Sequence, residues 1–120
     1  MNPRGVFDPA LNPGAALKQA AALLESGKLA EAEALLDRAL ASRPDHAGLL
    51  QCLAVLRVRQ GDPAAAADRF RAALALEPGN AGANANLGKA LFALGRVAEA
   101  AACYRRTAGR MRRPKRSAAR

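Results

Sequence analysis

The 120 residues carry a formal charge of +9, two cysteines, no tryptophan and 3 % aromatics. Dominance of alanine and leucine suits thin helices packed through small side chains and disfavours a β-sandwich, which draws on β-branched and aromatic residues. With only Cys52 and Cys103, in separate segments, no disulfide framework is expected, and reduced thiols behaving as small buried hydrophobes are the default.

In chain order, residues 1–12 form an N-terminal extension. Pro3, Arg4, Asp8 and Pro9 interrupt it, leaving no apolar run of signal-peptide length. Asn12-Pro13 then reads as a helix cap followed by proline at the first helical position. Ala16, Leu17, Ala20, Leu23 and Leu24 recur at three-and-four spacing until Gly27 stops the run. A second amphipathic stretch runs through Ala32, Leu35, Leu36, Ala39 and Leu40 and is closed by Pro44. Glu31, Glu33 and Asp37 read as its solvated face. The pattern restarts at Ala47, stops at Gly61, resumes after the cap Asp62-Pro63 and closes at Pro78. A third pass starts after Asn80, stops at Gly95 and gives a last helix from about Val97 to Arg110. No segment approaches the ~20 apolar residues of a membrane span, and a cytoplasmic setting is expected.

Gly27, Gly61 and Gly95 stand 34 residues apart, and the same step links Leu36, Phe70 and Tyr104. A period of this size means one supersecondary unit copied in tandem. The units are 13–46, 47–80 and 81–111, followed by a basic tail, 112–120, expected to be disordered. His46 shares its place with Asn12 and Asn80, so the only histidine is expected at a helix entry.

The 34-residue unit resembles the tetratricopeptide repeat. From Ala47, the second unit supplies Leu53, Ala54, Ala66, Phe70, Ala73 and Pro78 at the family's characteristic places, with Arg57 where tyrosine is usual. The third supplies Leu87, Gly88, Leu91, Ala100 and Tyr104 and departs at Thr107 and Arg112. The first is weaker at Ala16, Gln19 and Ala20 but regular at Ala32, Leu36, Ala39 and Pro44. The resemblance implies an all-α fold, a right-handed α-solenoid of three helix–turn–helix repeats. Three helix pairs are about the minimum that buries a continuous core.

Function then points toward holding a partner rather than reacting with it. Ser26, Ser42 and Ser117 have no histidine partner in the sequence, and the stretch from Gly82 to Gly88-Lys89 fails as a phosphate loop. It has one residue too many, Ala90 where a hydroxyl belongs, and no preceding strand. No enzyme, cofactor or metal is implied. By resemblance, the first helices of successive units line a concave groove for an extended peptide: Leu17, Lys18, Ala21, Leu24 and Glu25, then Gln51, Cys52, Val55, Val58 and Arg59, then Ala85, Asn86, Lys89, Phe92 and Ala93. A chaperone-type carboxylate clamp would need asparagines where Ala21 and Cys52 stand. An asparagine ladder is met only at Asn86, with Lys18 and Cys52 in the other units. The Asn86-Leu87-Gly88 wording resembles repeats fused ahead of bacterial glycosyl- or sulfotransferases, so a detached accessory module is an alternative.

Eight of the 19 Lys/Arg lie from Arg105 onward with no acid among them, leaving the first 104 residues near neutrality. Arg105, Arg106, Arg110, Arg112, Arg113, Lys115 and Arg116 give a second alternative, salt-sensitive contact with nucleic acid or an acidic partner, blind to base sequence. Finally, no capping helix follows the third unit. Val97, Ala101, Tyr104 and Ala108 should be partly uncovered, inviting a partner or a second copy and concentration-dependent self-association.

Overall fold

The computed structural model describes Asp8, Ala10 and residues 12–111, with side chains as far as Thr107. Over that range the chain forms six α-helices and no strand: α1 Pro13–Glu25, α2 Leu29–Ser42, α3 Ala47–Arg59, α4 Pro63–Leu76, α5 Ala81–Ala93 and α6 Val97–Met111. This is an all-α helical repeat solenoid. The basic tail from Arg112 lies outside the described residues, as do the side chains of Ala108 and Arg110.

The first helix of each pair starts with a side chain accepting from a free backbone N–H. Asn12 Oδ1 accepts from Ala15 N at 3.1 Å, His46 Nδ1 from Leu49 N at 3.2 Å and Asn80 Oδ1 from Ala83 N at 3.0 Å. His46 is thus a helix-entry residue, as its place in the repeat suggests. Each of these helices ends in a left-handed glycine, with φ of 76°, 79° and 80° at Gly27, Gly61 and Gly95. The following N–H reaches back to a carbonyl of the last turn: Lys28 to Leu23, Asp62 to Arg57 and Arg96 to Leu91, at 2.8–2.9 Å. That bond is available only when the intervening residue is left-handed, a conformation disfavoured by any Cβ.

Close approach comes from alanine. Ala20, Ala32, Ala54, Ala66 and Ala100 are buried, and Leu36 and Phe70 fill the spaces between paired helices. One core cluster joins α1, α2 and α3, and a second joins α3, α4, α5 and α6. Ala10 enters the first cluster, and Asp8 holds Arg38 of α2 at 2.7 Å.

Two departures from the repeat pattern are explained by their partners. Arg57, in the tyrosine's place, donates to Glu33 Oε2 at 3.0 Å and to Gln60 Oε1 at 2.8 Å, while Gln60 donates to Glu33 Oε1. Glu33 therefore leaves the solvated face expected for it and ties α2 to α3. Thr107, in an alanine's place, is buried and spends its hydroxyl on the Cys103 carbonyl one turn back, at 3.0 Å. Gly82 and Gly88-Lys89 lie within α5, away from any phosphate-loop geometry.

Candidate functional site

Between α3 and α5 the solenoid opens into a cleft of about 240 Å³. Val55 and Val58 form its α3 wall, Asn86, Lys89, Ala90 and Ala93 its α5 wall, and Pro63 and Phe70 of α4 its back. The 34-residue repeat places the walls. Val58 and Phe92 stand at the same place in their helices, so successive first helices present the same face in the same direction.

One difference between the two junctions accompanies the opening. Arg59 of α3 reaches back to α1, its Nη1 donating to the Leu24 carbonyl at 3.0 Å. Thirty-four residues on, its counterpart is Ala93, which has no donor to offer the Val58 carbonyl. Accordingly Leu24 is 5 % exposed and its counterpart Val58 is 48 % exposed.

Of the groove residues expected from sequence, the cleft brings together Val55, Val58, Asn86, Lys89 and Ala93. Leu24 is a correction: it is buried in the first core cluster and supports the surface from behind, held under the Arg59 contact. Arg59 is correspondingly engaged with a carbonyl. Gln51 is half-buried and accepts from Asn80 Nδ2 at 3.0 Å, which anchors the entry of α5. Leu17 packs partly buried on the first cluster, near Gly48, where an added Cβ would stand 3.1 Å from its Cδ1. Lys18, Ala21 and Glu25 are exposed on α1, outside the cleft. Phe92 is 63 % exposed, on the α5 surface beside the cleft. Pro63, Phe70 and Ala90 were not expected in the site. Proline at a helix start and an aromatic in the core carry no local sign that both also back an opening.

The chemistry of this surface is that of contact. Cys52 is half-buried, and burial pushes its thiol up from the usual range, which disfavours the thiolate a nucleophile needs. Cys103 is buried and both thiols are free. The Arg106 guanidinium lies 3.3 Å from Cys103 Sγ and 3.4 Å from Oδ1 of the buried Asn84. That contact satisfies a core amide for which the repeat pattern carries no sign. Among the described residues no group of three or more His, Cys, Asp or Glu is placed to hold a metal ion.

Tetratricopeptide-repeat profiles match residues 57–119, more than half of the chain, and residues 8–50. The chain belongs to the tetratricopeptide repeat family. No curated protein matches it closely. Among solved structures, the tetratricopeptide solenoid is similar to the crystal structure of MamA, with TM-score 0.75 and 22 % identity over 82 % of this chain and 57 % of that one. It is also similar to PilF of Pseudomonas aeruginosa, with TM-score 0.76 and 28 % identity over 87 % of this chain and 47 % of that one. The chain therefore spans only about half the length of these structural relatives. As a tetratricopeptide repeat protein it is a protein-interaction module. No described helix is long and apolar enough to cross a membrane.

Proposed function

We propose that the solenoid is a non-catalytic adaptor that holds an extended peptide across α3 and α5, seating one apolar side chain of the peptide in the cleft. The observation that carries this reading is the open α3–α5 junction itself, apolar at its back and along its α3 wall, with Asn86 and Lys89 on its α5 wall. At about 240 Å³ it falls below the range of ~300–1,000 Å³ typical of small-molecule sites, which favours a single side chain over a whole ligand. Lys89 and the Asn86 amide offer donors to carbonyls or to an acidic residue next to that anchor. A cytoplasmic setting fits two thiols kept reduced.

Peptides selected against the full chain from a displayed random library provide the test. Ala93→Arg recreates the Arg59 contact at the second junction, with the Val58 carbonyl as its acceptor. It should weaken the selected peptides about tenfold by titration, as expected where a buried anchor loses its pocket, and leave thermal unfolding unchanged. Removing residues 112–120 should leave affinity intact. If the deletion abolishes binding and Ala93→Arg does not touch it, the partner is held by the basic tail and the adaptor reading is wrong.

A further inference from the structure

The two ends of the stack follow one pattern. On α2 and α4, the stripe that includes Leu36 and Phe70 is covered by the next helix pair, and these residues are 0 % and 1 % exposed. The same stripe on α6 holds Val97, Ala101 and Tyr104, where Tyr104 is 40 % and Val97 58 % exposed. At the opposite end, α1 and α2 form a cleft of about 290 Å³ lined from Gln19, Leu23 and Glu31 to Arg38. Each residue of that lining has its counterpart 68 positions on, in a cleft between α5 and α6 lined from Leu87, Leu91 and Glu99 to Arg106. The second cleft has one residue more, Arg71 of the preceding α4, whose Nη2 stands 3.2 Å from Glu99 Oε1.

Among the described residues, no helix brings an arginine to Glu31 as α4 brings Arg71 to Glu99. α6 carries the missing group. Arg105 lies 34 residues after Arg71, Glu31 lies 68 before Glu99, and both are exposed.

We propose that copies of this chain stack head to tail, α6 of one copy packing on α1 and α2 of the next, with Arg105 paired to Glu31 of the next copy. Along this stripe the junction would reproduce the one inside the chain; beside it, Ala10 and Asp8 of the receiving copy already engage the first core cluster and Arg38, at the places that Pro78 and Leu76 hold internally. Ala67 and Leu91, which share the second core cluster, become Ala101 and Leu23 of the next copy, and Phe70 becomes Tyr104. Charge favours this occupant. Residues 13–46 hold five acids against four bases, and α6 exposes Arg105 and Arg106 with no acid after Glu99, so unlike charges face each other where Arg105 meets Glu31. Pairing α6 with α6 about a two-fold axis would instead set Arg105 and Arg106 near their own images. Gln19 stands where Leu53 and Leu87 are buried in the internal junctions, which makes contact between copies weaker than contact within one. The interface is heterologous and does not close, so assembly proceeds without a fixed stoichiometry. None of this depends on the peptide-holding reading.

Sedimentation and light scattering of the full chain test it. Average mass should rise with no plateau across about a hundredfold range of concentration. R105E and E31R should each weaken association by roughly three- to tenfold, as expected for turning an exposed pair into a like-charge contact. The charge swap should restore it, both in an equimolar mixture of the two variants and in one chain carrying both changes. A101E, which sets a carboxylate against Leu23 of the next copy where Glu33 of α2 meets Arg57, should abolish stacking while helical content and unfolding stay as they are. A constant monomer mass, a plateau at two copies or a swap that fails to restore assembly would each overturn the proposal.

Discussion

Gly88 and Tyr104 hold the places that Ala20 and Leu36 hold in the first unit and Ala54 and Phe70 in the second. A Cβ built on Gly88 would stand 2.9 Å from Tyr104 Cε1, so the larger ring is accommodated by removing a methyl opposite it. Glycine inside a helix costs about 1 kcal/mol relative to alanine. Gly88→Ala alone should therefore gain propensity and lose packing in similar measure. Together with Tyr104→Leu it rebuilds the first unit's pair, and the double variant should exceed the sum of the singles by about 1 kcal/mol in urea unfolding, within the usual range for contacting residues. Glu33 makes a second prediction at this scale. Hydrogen bonds from Gln60 and then Arg57, with the Arg57 charge behind them, hold its carboxyl below the ordinary glutamate value of 4.5. A depressed folded-state value means that its contribution is complete above 4.5 and fades as pH falls below it. Stability should decline over that acid window less steeply in Glu33→Gln than in the parent, measured by urea midpoints at a series of pH values. The glycine period was legible residue by residue, but this trio was not. Its members lie 24 and 27 positions apart, and only the stacking of α2 on α3 brings them together.

At the level of single helices, starts and stops were readable because capping is local chemistry. Asn12, His46, Asp62 and Asn80 sit where their side chains can reach an N–H three residues on, and the left-handed glycines end α1, α3 and α5. α2 starts without such a cap. Its cap position is Lys28, which makes no side-chain bond, while Asp62 caps α4 at the equivalent place, 34 residues on. Lys28→Asp should add a bond to a free N–H and place negative charge at the helix start, raising stability by about 1 kcal/mol in chemical denaturation.

For the molecule as a whole, the period determined the number of helices and their order, because each pair must bury its stripe on the next. Which junction stays open could not be read that way. It goes with a single side chain, Arg59 or Ala93, of which only the first has the length and the donor to reach a carbonyl 35 positions back. The buried Leu24 and the exposed Val58 are two outcomes of that choice at one repeat place.

The strap from Arg59 to the Leu24 carbonyl also divides the solenoid mechanically. The first coil is clasped at the ends of α1 and α3, whereas the second is tied at the entry of α5 by Gln51 and Asn80 and by the packing of α4 against α5, which leaves its cleft end without a strap. On the proposed reading, a peptide seated between α3 and α5 would set the pitch of the spring as well as occupy a cavity. Occupancy at that joint and the relative tilt of the helix pairs beside it would then become a single variable.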